Sequence, residues 1–214
     1  MSEEILEKLR NAILTFDNKG AAAFSQEAID AQIDPMIVMD ALIKAVQIVG
    51  DAFGAGKMFL PELVGAADAL QAATPIVEAE IEKKGHKRES LGTIVIGTVA
   101  GDMHTIGKSM VTSLLAAEGF EVHDIGINVP SEKFIEAVKE HQPEILGMSA
   151  LLSTTAPECK HVIDQLNGVG LRDGVKVMVG GGAMTAEFAK GIGADGYEPT
   201  APAAVKLAHR LLQR

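Results

Sequence analysis

Asp102 and His104 stand two residues apart in the segment GDMHTIGKSMV (101–111), where an apolar β-branched run gives way to a helical pattern. A carboxylate that close to an imidazole can orient the ring and tune the basicity of its far nitrogen. Three chemistries are open to such a pair: a hydrogen-bonded core histidine, a general base, or a metal ligand. Two other stretches are unusual. SALLSTT (149–155) offers Ser149, Ser153, Thr154 and Thr155, and Gly180, Gly181 and Gly182 form a triplet after an apolar run. Hydroxyl runs commonly cap a following helix, and glycines after a strand commonly turn the chain, so each stretch alone also has a purely structural reading.

Other templates fail on spacing. Gly-Lys-Ser at 107–109 resembles the end of a phosphate-binding loop, but the preceding glycine, Gly101, lies one position too far upstream. The 101–109 loop is not a GxGxxG dinucleotide turn either, and no GxSxG elbow is present. His104 has no second His, Cys or carboxylate at zinc-ligand spacing, which argues against a closed structural zinc site. His123, His141, His161 and His209 have no comparable setting and read as structural.

The elements that must position these residues fall into two groups. Residues 1–88 read as helix throughout. Ser2 caps a first helix with Ile5, Leu6, Leu9, Ile13 and Leu14 on one stripe, and a second runs near 20–31. Asp34 caps a third with Pro35 at its first position, and Pro61 opens a fourth. Pro75 falls inside that fourth helix and predicts a kink or break. Short connections predict an antiparallel four-helix bundle. The charged run KKGHKRES (83–90), which includes His86, reads as a linker. Residues 89–214 then alternate apolar strand with amphipathic helix five times, Ser131 serving as one N-cap. That pattern predicts an α/β domain, a five-stranded parallel sheet of flavodoxin-like (Rossmann-like) order 2-1-3-4-5 covered on both faces. In that order strands 1, 3 and 4 are neighbours, and their carboxyl ends carry the three unusual stretches.

Composition excludes several functions. The chain has 214 residues and a net charge of −10, shared evenly: residues 1–88 hold 14 acids and 9 bases, residues 89–214 hold 15 and 10. No basic face is available for nucleic acid or an anionic membrane. The acidic, amphipathic start predicts no secretory signal, and no apolar run reaches membrane-spanning length. One cysteine, Cys159, allows no internal disulfide and fits a reducing cytoplasm, where it reads as a small apolar filler.

Taken together, the three stretches resemble the cobalamin-binding domain of B12-dependent methyltransferases and mutases. That family's Asp-x-His-x-x-Gly, Ser-x-Leu and Gly-Gly read here as Asp102-Met103-His104-Thr105-Ile106-Gly107, Ser149-Ala150-Leu151 and Gly180-Gly181. The motifs are 41 residues apart (108–148) and 28 residues apart (152–179), as in the family. The helical half, above all GKMFLPELVGAADAL, resembles the cap module of the methyltransferase branch. The resemblance covers nearly the whole chain. It is nearest to the small corrinoid proteins of methylamine, methanol, betaine and aryl-ether demethylation, with SLGTIVIGTVAGDMHTIGKSMV most similar to the tri- and quaternary-amine branch.

The resemblance implies a corrinoid bound base-off and His-on. His104 would be the lower axial cobalt ligand, Asp102 would accept from its other ring nitrogen, and Thr155 would extend the relay. Gly101, Met103, Thr105, Ile106 and Gly107 would lie against the corrinoid. Ser149, Leu151 and Ser153 would line the slot for its nucleotide tail, with Gly180, Gly181 and Gly182 letting the tail approach backbone. In the cap, Phe59 and Leu60 would shield the reactive upper face, with Met58 and Leu63 beside them. Thr105 and Ala156 depart from the family, which often carries Asp and Met there.

The implied activity is a methyl carrier cycling between cob(I)alamin and methylcob(III)alamin, not catalytically complete alone. Its implied partners are a substrate-specific methyltransferase, a methylcorrinoid:folate or thiol methyltransferase and a reductive activator protein. Co(I) sheds axial ligands while methyl-Co(III) favours one, so a His with tuned basicity can couple protonation to methyl transfer. The alternative is a B12-dependent sensor, disfavoured because this chain has no Trp and no His within the cap helices. A mutase subunit usually lacks this cap, and a flavin carrier uses no such His.

Overall fold

A computed structural model describes residues 2–84 and 90–213. The chain divides into two compact units, Met1–Glu89 and Ser90–Arg214. Most of the expected linker, including His86, lies outside the described residues.

The first unit is four helices, α1 (Ser2–Leu14), α2 (Asn18–Asp30), α3 (Pro35–Gly54) and α4 (Leu60–Lys83). Side-chain caps start two of them. Asp17 Oδ1 accepts from Gly20 N at 2.9 Å, and Asp34 Oδ1 accepts from Met36 N at 2.9 Å, ahead of Pro35. At the start of α4, Glu62 Oε2 accepts from Phe59 N at 2.5 Å. Leu9, Ile13, Leu42, Leu63 and Leu70 are buried between the helices, with Ala21, Ala66 and Ala73 allowing close approach. Leu63 is therefore bundle core.

Of the kink or break expected at Pro75, the structure overturns the break, because α4 runs through it from Leu60 to Lys83. Pro75 is exposed, so the carbonyl of Gln71 that loses its N–H partner can turn to water. On the core side Ala73, Val77 and Ile81 stay buried across the proline, and Thr74 Oγ1 donates back to Leu70 O at 2.9 Å. Packing of the apolar face outweighs one lost hydrogen bond.

The second unit holds β1 (Thr93–Thr98), α5 (Ile106–Glu118), β2 (Glu121–Asp124), α6 (Ser131–His141), β3 (Ile145–Ser149), α7 (Pro157–Gly168), β4 (Lys176–Gly180), α8 (Ala186–Gly191), β5 (Gly196–Tyr197) and α9 (Ala201–Leu211). The sheet is parallel in the order β2-β1-β3-β4-β5, as the strand–helix alternation predicts. Helices α5 and α9 pack together, and so do α6 and α7. Val95, Leu146, Met148, Val177 and Val179 of the sheet bury against Phe134, Val138, Val162 and Ile163. Such strands are apolar on both faces because helices cover both.

Two cap expectations are also corrected. Pro130 is the N-cap of α6, and Ser131 inside the helix instead accepts from Gln165 Nε2 of α7 at 2.8 Å. Neither Ser153 nor Thr154 caps α7, whose N-cap is Ala156 without a side-chain bond. The next hydroxyl, Thr155, bonds instead to Asp102. Among the described residues no helix is long and apolar enough to cross a membrane.

Candidate functional site

The register of the sheet brings the unusual stretches together. Ser149 at the end of β3 pairs with Thr98 of β1 on one side and Gly180 of β4 on the other. Beyond Thr98 the chain turns sharply: Asp102 N donates to Val99 O at 3.1 Å, and Gly101 supplies the positive φ of 78° that the turn needs. The turn drops the Asp102 side chain into the protein, fully buried, and leaves the His104 side chain 52% exposed.

Burial of an ionised carboxylate is costly unless hydrogen bonds replace water. Asp102 has them. Its Oδ1 accepts from His104 N at 3.0 Å and from His104 Nδ1 at 2.8 Å. Its Oδ2 accepts from Thr155 Oγ1 at 2.7 Å, Leu151 N at 2.8 Å and Leu152 N at 3.3 Å. Burial alone would push this carboxyl up. The bonds from His104 N, Thr155 Oγ1, the His104 ring and Leu151 N outweigh it and hold Asp102 well below the usual carboxylate range.

An ionised Asp102 has no proton to give, so the hydrogen on the 2.8 Å contact belongs to His104 Nδ1. The tautomer of the neutral ring is thereby assigned: Nε2 carries the lone pair, on a half-exposed side chain. Among the described residues no three His, Cys, Asp or Glu side chains converge as ligands for an ion. His104 thus offers a single nitrogen, which suits a metal that arrives with its other ligands already bound. Exposed apolar side chains come from the segments that follow β1, β2 and β3: Met103 and Ile106 near His104 in sequence, Ile127, and Leu151 and Leu152. Exposed apolar surface at the sheet end that also carries one accessible imidazole fits a flat, hydrophobic macrocycle carrying a metal at its centre.

The glycines divide by role. A Cβ on Gly181 would lie 2.1 Å from Ala150 O, and its φ is 115°, so glycine is required for β4 to pass the end of β3. A Cβ on Gly182 would meet Leu151 Cδ1 at 2.8 Å. Gly107, in the first turn of α5, has nothing within 4 Å of such an atom and faces open space. Thr105 is the N-cap of α5 without capping through its side chain; its hydroxyl lies 3.1 Å from Ser109 Oγ. Ser149 is half-buried and Ser153 exposed. Phe59 and Leu60, in the helical unit, are 72% and 44% exposed. Cys159 is buried one helical turn beyond Thr155, and burial pushes its thiol up to about 12, as an apolar filler requires.

The site is an open face. Concave pockets of about 410 and 350 Å³ instead border the amino end of β4, around Arg172 and Asp195 and around Lys176 and Leu212. Their polar lining holds none of the residues above.

Sequence reasoning missed several residues that hold the turn. Buried Thr98 Oγ1 donates to His104 O at 3.1 Å. Asn128 accepts from Gly101 N through Oδ1 at 2.7 Å and donates its own N–H to Asp102 O at 3.0 Å. Lys108, buried, pairs with Asp124. The available signals were an Asp-x-Gly turn at 124–126 and an asparagine ahead of Pro130, a type that tolerates the left-handed φ of 52° found there.

Residues 92–206 match one family described as "B12 binding domain", and residues 5–78 match a second with the same description. A trimethylamine corrinoid protein of Methanosarcina acetivorans is 42% identical over 200 residues, 93% of each chain. A dimethylamine corrinoid protein of the same organism is 42% identical over 211 residues, 98% of each. Among solved structures, the methanol:cobalamin methyltransferase complex MtaBC from Methanosarcina barkeri superposes with a TM-score of 0.82 at 32% identity, covering 98% of this chain and 80% of that one. A cobalamin-binding protein from Desulfitobacterium hafniense superposes with a TM-score of 0.77 at 30% identity, covering 96% and 98%. The chain belongs to the corrinoid proteins, the family built on the B12 binding domain, and cobalamin or a related corrinoid is its cofactor.

Proposed function

We propose that this protein carries a methyl group on its corrinoid from a methylated amine's methyltransferase to a second methyltransferase acting on a folate or thiol. The observation that carries the reading is the unpartnered Nε2 of His104, with its tautomer fixed by buried Asp102. When bound, the corrinoid supplies a cobalt centre able to accept and release a methyl group. The protein's own part is to hold that centre. His104 Nε2 would hold the cobalt, and Asp102 keeps the proton at Nδ1. Thr155 and the N–H groups of Leu151 and Leu152 keep Asp102 ionised and in place.

Ser149, Leu151 and Ser153, with Gly180, Gly181 and Gly182, receive the nucleotide tail. Gly101, Met103, Thr105, Ile106 and Gly107 lie against the corrin. Residues 89–214 form the corrinoid-binding domain and residues 1–88 a cap module, in which Phe59 and Leu60 are exposed apolar side chains suited to excluding water from a reactive cofactor. The names of the trimethylamine and dimethylamine relatives support an amine as donor. A reductive activator in the same cytoplasmic compartment keeps the cobalt reducible.

The test is reconstitution. The protein is loaded with cobalamin, reduced, and mixed with an amine:corrinoid methyltransferase and trimethylamine, dimethylamine or methanol in turn. The reading expects the reduced cofactor's visible spectrum to be replaced by that of its methylated form with an amine. Methylation by methanol alone, or by none, would overturn the amine assignment.

A further inference from the structure

Among the described residues Lys108 is the one buried lysine, 4% exposed, and it touches neither the His104 ring nor Asp102. It sits in the first turn of α5, four residues beyond His104, and its ammonium pairs with Asp124 Oδ2 at the end of β2. Asp124 is not a terminus for that bond. Its other oxygen accepts from Gly126 N at 2.9 Å and so sets the start of the loop 125–129. The same loop returns to the His104 turn through Asn128, which binds Gly101 N and Asp102 O. The segment 101–108 is therefore gripped at both ends by one loop, by Asn128 at its entry and by Asp124 at its exit.

We infer that the Lys108–Asp124 pair is a positioning element for the cofactor ligand: it fixes the 124–128 loop and thereby the height and tilt of the His104 ring. The inference rests on the corrinoid reading above. Lys108 touches neither the His104 ring nor Asp102, so it acts only through backbone. Its burial also removes it from any phosphate-binding role that Gly-Lys-Ser suggests. Lys108 is the buried partner and Asp124 keeps about a third of its side chain in water, so Asp124→Asn leaves a buried ammonium without its counter-charge, which is strongly unfavourable. Removing Lys108 instead frees Asp124 to turn to water and loosens its hold on Gly126 N, which releases the Asn128 grip.

Two measurements on Lys108→Met test this. In the apo protein, amide hydrogen exchange at 101–107 and 125–128 is expected to rise by about tenfold or more, while β3 and β4 keep wild-type protection. In the cobalamin-loaded, one-electron-reduced protein, the axial nitrogen splitting in the EPR spectrum is expected to weaken as part of the population loses His104, with corrinoid affinity down about tenfold. Asp124→Asn, which is isosteric, is expected to move both readouts in the same direction, and it decides the matter if Lys108→Met does not fold. Unchanged exchange and an unchanged axial signal, with only a lower melting temperature, would overturn the inference and leave the corrinoid reading standing. If wild type itself shows no axial nitrogen, the corrinoid reading fails, while the exchange data still judge the clamp.

Discussion

Thr155 Oγ1 and Asp102 Oδ2 meet at 2.7 Å across 53 residues of sequence, both side chains shut away from solvent. The bond ties the start of α7 to the turn after β1, so the carboxylate that orients His104 is held by a different layer of the fold. Bonds to charged groups contribute more than neutral ones. Thr155→Val is expected to cost about 1.5–3 kcal/mol in urea unfolding, and Thr155→Ser to cost less than half of that. Equal losses for the two variants would mean that the methyl group matters more than the hydroxyl.

Stability should also report on Asp102 through pH. Its folded-state pKa lies below its unfolded value, so the unfolded chain binds the proton more readily. The contribution is complete above the unfolded value of about 3.9 and drains away as pH falls toward the folded one. Asp102→Asn should be less stable at neutral pH and show a flatter acid limb in unfolding free energy against pH. Wild-type and variant curves that stay parallel from neutral to acid would contradict this.

Two glycines should answer alanine in opposite ways. Gly107→Ala adds an atom in open space inside a helix, and the apo protein should gain about 0.5–1 kcal/mol. The same variant should bind cobalamin more weakly, because the added methyl stands where the corrin approaches. Gly181→Ala forces a side chain onto Ala150 O at an unfavourable φ, so soluble yield and thermal midpoint should fall sharply. Calorimetry of the apo variants and cobalamin titration of Gly107→Ala check the pair.

Within the bundle, Ser25 Oγ is fully buried and has no hydrogen-bond partner. An unsatisfied buried hydroxyl is a net cost, and alanine fits the same space. Ser25→Ala is expected to raise stability by about 1 kcal/mol without altering cobalamin affinity. A destabilised variant would show that the hydroxyl has a partner after all.

The sheet order and the His104 turn were legible because each leaves a local mark: a strand–helix alternation, and an Asp and a His two residues apart before a helix. The glycine requirement at Gly181 was legible only as a triplet; its reason, the carbonyl of Ala150, belongs to another strand. Ser153 and Thr154 looked like helix caps, and Thr155's bond to Asp102 was legible only through the family resemblance, since a hydroxyl's choice among acceptors is decided by tertiary contact. Lys108 and Asn128 left only weak marks, a Gly-Lys-Ser that resembles a phosphate loop and an asparagine ahead of Pro130, and their roles emerge only when the sheet brings Asp124 and Gly101 beside them. No break follows at Pro75 for the same reason, with packing of Ala73, Val77 and Ile81 carrying the helix through the proline.

The central claim is that His104 Nε2 ligates the corrinoid's cobalt, and EPR of the one-electron-reduced, cobalamin-loaded protein tests it most directly. With histidine labelled by ¹⁵N, the axial superhyperfine triplet of ¹⁴N should become a doublet, and His104→Ala should lose the protein-derived splitting altogether. A triplet that survives labelling, or a spectrum identical in His104→Ala, would show that the nitrogen belongs to the corrinoid's own base and would contradict the account.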